Sequence, residues 1–223
     1  MDSTVENSAG NMPVRIGLLG AGGQAREVAS YLPPGTDVFW ALSPEYLDAE
    51  IKDAKDAVDI TAPPTAYRDA AVIGAVGAPE LRRRMVDAWP GDRFATVVSP
   101  AAYVDPSCIL GEGTVIAPGA VLTVDVMVGA HCQVNVGATL SHDVHLASFV
   151  TVGPGAHVAG RVRLCDGVFV GIGARIANDV TIASGVVIGA GATVLTDVLI
   201  PNAVVVGVPA SVVKVRDGWL DAL

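Results

Sequence analysis

The stretch that decides the fold begins 98-VSPAAYVDPSCILGEGTVIAPGAVLTVDVMVGAHCQVNVGATL-140 and runs on to Val194. Counted in sixes, it reads Val98, Val104, Leu110, Ile116, Leu122, Val128, Val134, Leu140, Leu146, Val152, Val158, Leu164, Val170, Ile176, Ile182, Ile188 and Val194. Every anchor is Leu, Ile or Val, with no slip of phase. Four residues after each anchor the side chain is small or β-branched, as at Ala102, Cys108, Thr114, Ala120, Val126 and Cys132. A six-residue period with an aliphatic anchor predicts a β-helix, each hexad being one short strand plus a turn. Strand alternation turns the anchor and the residue four later to the same inward side.

Working outward, the composition fits this solenoid plus one small domain in 223 residues. Aromatics are only 5%, as a narrow interior filled by Val, Ile, Leu and Ala requires. A net charge of −9 argues against nucleic acid or an anionic membrane as partner. No apolar run reaches the ~18 residues of a membrane span. Residues 1–12 are polar, without the apolar core of a secretory leader, and are expected to be a disordered tail. Cys108, Cys132 and Cys165 then fit as free thiols of a cytoplasmic protein.

Residues 13–95 alternate strands and helices. Val14–Leu19 predicts a buried strand, and a helix follows through about Tyr31, stopped by Pro33-Pro34-Gly35. Val38–Leu42 and Ala71–Val76 predict two more strands, with residues 45–59 helical or looped between them. Pro79-Glu80 opens a helix through Trp89. This pattern predicts a small parallel α/β, Rossmann-like domain at 13–95, then a β-helix at 96–200 and a C-terminal tail at 201–223. The turn Gly20-x-Gly22-x-x-Ala25 is of the kind that lets backbone approach a phosphate at a helix N-terminus. The acid that a dinucleotide fold places after its second strand is absent; Trp40-Ala41-Leu42-Ser43 stands there. A phosphate or sugar-nucleotide cradle, NAD binding, or a tight turn with no ligand all remain open at this point.

The hexad pattern resembles that of the hexapeptide-repeat acyltransferases. The resemblance implies a left-handed parallel β-helix with three hexads per coil, so that residues 18 apart stack as ladder neighbours. His142 and Asp143 then occupy the third and fourth positions of a hexad, at an outward turn. Gly160 lies one coil above His142 and Asn178 two. A Gly above a His leaves room beside the imidazole and exposes a backbone N–H, an arrangement suited to a base beside an oxyanion donor. The spacing is equally that of a surface His on a turn with Gly160 permitting a bend.

Val134-Asn135-Val136-Gly137-Ala138 and Ser141-His142-Asp143-Val144 look like the active-site segment of the NeuD/PglD-like sugar acyltransferases. Across about residues 14–215 the order of parts is also theirs, an α/β domain before a β-helix. The resemblance implies His142 as general base, Asp143 as the carboxylate that orients it, Gly160 as oxyanion donor, and Asn135 as a further residue of the catalytic segment. It implies acetyl-CoA as cosubstrate, contacted at Thr151, Ile172 and Ala190. The Val206-Gly207-Val208-Pro209-Ala210 ending, with Lys214, is expected beside the coenzyme tail. Gly22, Gly23, Gln24 and Gly77 are expected to contact an amino sugar or nucleotide-linked sugar, acetylated on nitrogen rather than oxygen, in a homotrimer without metal. The chain departs from the family in carrying Gln24 where His is usual, in lacking acids after the second strand, and in having Thr151 where some members have His. A non-sugar amine or hydroxyl acceptor, a zinc enzyme of the γ-carbonic-anhydrase kind and a non-catalytic binding solenoid are the alternatives. His142-x-x-His145 does not have the zinc spacing, and the His-Asp pair with the Gly-x-Pro-Ala tail weighs against a passive solenoid.

Overall fold

Ile16, Leu18 and Leu19 are followed two elements later by Phe39, Trp40, Ala41 and Leu42, all buried, as strands covered on both faces require. The computed structural model describes residues 15–47 and 56–222; the expected tail at 1–12, the first two residues of the α/β domain and part of the 45–59 segment lie outside the described residues. Strands β1 (Arg15–Leu19), β2 (Asp37–Leu42), β3 (Ala57–Asp59) and β4 (Ala71–Gly74) form one parallel sheet in the order β3-β2-β1-β4. Helices α1 (Gly23–Tyr31), α2 (Thr65–Arg68) and α3 (Pro79–Ala88) accompany them. The chain leaves β1 toward β2 and β3, then crosses back to β4 on the other side of β1. The β1–β4 boundary is therefore a switch point, where ligands bind at the carboxyl ends of strands. Two elements escape the sequence pattern: β3 and α2 are three and four residues long, too short to show a period. The strand expected over Ala71–Val76 stops at Gly74, and Ala75-Val76-Gly77 is loop.

From Val97–Val98 to Thr193–Val194 follow seventeen two-residue strands, β5 to β21, each ending on one of the seventeen anchors. Their partners lie 18 residues away, as in Gln133↔Thr151, Val134↔Val152 and Leu140↔Val158. Three parallel ladders close a left-handed β-helix around the anchors. At most corners the fourth residue of the hexad donates its N–H to the third residue one coil earlier, for example Arg161 to His142 and Asp179 to Gly160. The third residue's own N–H takes no part in these ladders, which is why Pro100, Pro106, Pro118 and Pro154 fit there.

The ends differ from the expected pattern. Val98 is 41% exposed because no coil lies beneath it. After Val194 the corners shorten: Val198 bridges to Ile182 and Val205 pairs with Ile188. Ile200 and Val206, which keep the six-residue count, are exposed instead. The expected tail at 201–223 is in fact an antiparallel hairpin, β22 (Ala203–Gly207) and β23 (Ala210–Val215), continuous with the solenoid sheet. A non-helical arm follows. Its Trp219 covers Gly167 and Gly185, and the Leu220 carbonyl accepts the N–H of Glu80 at the start of α3.

The first domain covers one of the three solenoid faces. Val97, Val115, Gln133 and Thr151 point outward from that face yet are buried. Gln133 Nε2 donates to the Gly74 carbonyl at 2.8 Å. His131, at a corner beside this face, stacks on Phe149 and meets the edge of Phe94. Burial, with Arg82 nearby, pushes its pKa down to about 4, so it is neutral at physiological pH.

Candidate active site

His142 and Asp143 stand at the corner that follows the Thr139–Leu140 strand. The corner forces the fourth hexad residue into the left-handed region; Asp143 has φ of 59°, a conformation Asp tolerates better than most residues. This bend brings its carboxylate to the preceding side chain, and Asp143 Oδ2 lies 2.8 Å from His142 Nδ1. With Nδ1–H donated to the carboxylate, Nε2 is left as the lone-pair nitrogen. The His142 backbone is fixed in turn, its carbonyl accepting the Arg161 N–H at 2.9 Å.

Gly160 sits directly over the ring. A Cβ built on it would lie 2.5 Å from both Cε1 and Nε2 of His142, so no other residue leaves the imidazole in this place. Its φ is outside the left-handed region; that conformation belongs to Arg161, at 61°. The glycine is therefore present for space and not for a bend. As a third hexad residue its N–H has no acceptor among the described residues. Arg161, the ladder neighbour of Asp143, does not pair with it. Arg161 pairs with Asp179 one coil further on, at 2.6 and 2.9 Å, and Asp143 is left to His142.

The other expected residues divide into three groups. Ile172 and Ala190 are exposed and stack 18 residues apart, but on the corner following the Phe169–Val170 and Val187–Ile188 strands. The hairpin continues that corner, since a Cβ on Gly189 would meet Val206, and it carries Pro209 and Lys214, both exposed. Within one chain this corner and that of His142 are separated by a full solenoid face. Gly22 and Gly23 are exposed at the start of α1, with open space where a Cβ would be. Gly20 is the glycine that the turn demands, with φ of 112° and Val76 packed against it.

Three of the expected residues are buried in the single chain. Thr151 is 2% exposed; its hydroxyl donates to the Gly77 carbonyl at 2.7 Å and accepts from Arg82, which leaves no surface of it for a coenzyme. Gly77 is buried and its carbonyl is committed to the same pair, so only its N–H can meet a ligand. Asn135 is likewise buried. Its Nδ2 donates to the Val152 carbonyl at 2.9 Å and its Oδ1 accepts from Gln24 Nε2 at 3.2 Å; it joins the glycine loop to the solenoid. The residue that sequence reasoning passed over is Arg82. Its signal was there: α3 buries Pro79, Arg82, Met85 and Val86, a helical stripe with an arginine in it.

Among the described residues no group of three or more His, Cys, Asp or Glu is arranged to hold a metal ion, and no helix is long and apolar enough to cross a membrane. His157 Nδ1 is held by Thr139 Oγ1 at 2.9 Å.

Known proteins resemble this chain in its repeats and fold. The family model described as bacterial transferase hexapeptide (six repeats) matches residues 161–196. A mutant perosamine N-acetyltransferase from Caulobacter crescentus, solved with CoA and GDP-perosamine, is 28% identical with a TM-score of 0.79; 89% of this chain and 96% of that chain are covered. The acetyltransferase domain of PglB from Neisseria gonorrhoeae, solved with acetyl coenzyme A, is 29% identical with a TM-score of 0.76, covering 91% and 100%. WeeI from Acinetobacter baumannii, at 24% identity, a TM-score of 0.77 and coverage of 89% and 99%, shares the fold. No curated protein matches by sequence. Repeats, fold and these likenesses mark the chain as an acyltransferase similar to the hexapeptide-repeat acyltransferases. Among them the chain is similar to the NeuD/PglD-like sugar acyltransferases.

Proposed function

We propose that the chain transfers an acetyl group from acetyl-CoA to the amino group of a nucleotide-linked sugar, with His142 as general base. The observation that carries this is the His142–Asp143 pair lying beneath Gly160. In the reaction the acceptor amine attacks the thioester carbonyl carbon, the C–S bond breaks, and coenzyme A leaves as the thiolate. His142 Nε2 takes the amine proton and returns it to the sulfur, so protons balance without a covalent enzyme intermediate. Asp143 orients the imidazole and stabilises its cation. The spare N–H of Gly160 would receive the developing oxyanion. A thioester is already activated, so orientation supplies much of the remaining rate.

The likeness to acetyltransferases solved with CoA and GDP-perosamine supports the choice of acetyl donor and of an amino-sugar acceptor. The carboxyl ends of β1 and β4, with Gly22, Gly23 and the Gly77 N–H, are the place for the acceptor's phosphates. Ile172, Ala190 and the hairpin are the place for the coenzyme. These lie on a different corner from His142, and His142 and Asp143 are half exposed in the single chain. A second copy in a homotrimer would bring its coenzyme corner against His142 and exclude water from the pair.

The test is acceptor-dependent release of coenzyme A thiol, with acetyl-CoA and a panel of UDP-, GDP- and dTDP-linked 4-amino sugars. At least one panel member should be turned over with an N-acetyl sugar as product. Thiol release at the same slow rate with and without every acceptor would contradict the proposal.

A further inference from the structure

The Arg82 side chain is fully buried, and among the described residues no carboxylate pairs with it. Its Nε donates to the His131 carbonyl at 2.8 Å. One terminal nitrogen donates to the carbonyls of Val76 and Gly77 at 2.7 and 3.1 Å. The other donates to the carbonyls of Phe149 and Val150 at 2.8 and 3.3 Å, and to Thr151 Oγ at 2.9 Å. Burial pushes its pKa down to about 10, which still leaves it charged at neutral pH. An uncompensated buried cation is costly, and an apolar side chain of similar volume often serves stability as well or better. What the charge achieves here is geometric. Two of its acceptors lie on the loop after β4 and the others on two successive coils of the solenoid.

The loop's other face follows from peptide planarity, since the N–H of each residue points opposite to the carbonyl of the residue before it. With the Val76 and Gly77 carbonyls turned onto the guanidinium, the N–H groups of Gly77 and Ala78 are turned away from it. Both residues are buried, and among the described residues neither N–H has an acceptor. Buried N–H groups without an acceptor are rare. The neighbouring wall is the β1 loop: a Cβ on Gly20 would lie 2.8 Å from Val76 Cγ2.

We infer that Arg82 is a positioning residue for the acceptor, holding the Val76–Ala78 backbone against the solenoid so that the N–H groups of Gly77 and Ala78 face the crevice between the carboxyl ends of β1 and β4. This rests on the acceptor reading given above. Thr151, whose hydroxyl joins Arg82 to Gly77, works in the same device and does not touch the coenzyme.

The experiment is steady-state kinetics of the full chain with acetyl-CoA and the panel sugar that the wild type uses. Arg82→Met removes the device but also risks the fold, so Thr151→Val is the second variant and Thr151→Ser its control. Thr151→Val should raise the acceptor KM about tenfold, the equivalent of one hydrogen bond. Its coenzyme KM should not change, its melting temperature should drop by no more than a few degrees, and Thr151→Ser should restore the acceptor KM. A rise in coenzyme KM instead would return Thr151 to the coenzyme and overturn the inference, as would an unchanged acceptor KM in folded Arg82→Met and Thr151→Val. If the wild type uses no panel sugar, the acceptor reading fails and this inference with it. If the wild type does and the variants match it, only the positioning role fails.

Discussion

His142→Ala lowers acceptor-dependent turnover by roughly 10²–10⁴, the range expected for loss of a general base, while the affinity for coenzyme A stays within a factor of about two. The two readouts part because the expected coenzyme positions, Ile172 and Ala190, stand on a different corner of the solenoid. The fold should be untouched. The side chain is half exposed, its one polar contact is to Asp143, and the corner is held by backbone bonds that alanine keeps, such as Arg161 N–H to the carbonyl of residue 142. Isothermal calorimetry with coenzyme A and a thiol-release assay on one preparation check both halves. Turnover near the wild-type rate would remove His142 from the chemistry.

Gly160→Val should be as damaging, for a reason that geometry supplies. The backbone at Gly160 lies outside the left-handed region, so a β-branched residue is accepted without strain of its own, and the corner's hydrogen bonds do not use the Gly160 N–H. The new Cβ, however, would stand 2.5 Å from His142 Nε2 and Cε1. The imidazole must swing out, which costs little because it is exposed, but it then leaves Asp143 and the space above the glycine. Turnover should fall by at least the ~10²–10³ that loss of an oxyanion donor costs in other enzymes. The melting temperature should stay within a few degrees of wild type. A variant that unfolds would mean that the corner needs glycine for its backbone, and a stable, active one would mean that acyl transfer occurs elsewhere.

The legibility of this chain is uneven, and the reasons are physical. The solenoid was fully readable because each of its hexads repeats one local rule, an aliphatic anchor with a small or β-branched side chain four residues on. The 18-residue stacking of Gly160 on His142 follows by counting once three hexads make a coil. That rule relaxes after Val194: Val198 and Val205 take the inward places because the last corners are shorter, although Ile200 and Val206 keep the six-residue count. In the first domain β3 and α2 were invisible because three or four residues carry no period. Position alone offers Arg161 two ladder neighbours, Asp143 and Asp179, equally; the choice of Asp179 leaves Asp143 to the histidine. Thr151, Gly77 and Asn135 are buried for one shared reason. Each lies where the first domain meets the solenoid, and nothing in a repeat tells which face a neighbouring domain will cover. Arg82 spans that same contact.

The central claim is that His142 of one copy works on a coenzyme held by the Ile172–Ala190 corner of another. Co-expressed subunits test it directly. One carries His142→Ala with an intact coenzyme corner; the other carries Ala190→Arg, which blocks that corner but keeps His142. Each homotrimer alone should be inactive. Mixed at random in equal amounts, roughly a quarter of the sites in a three-fold assembly would pair an intact histidine with an intact corner. Thiol release from the purified mixture should therefore recover to about a quarter of the wild-type rate. A mixture as inactive as its components, in particles that light scattering shows to be mixed trimers, would contradict a site shared between subunits.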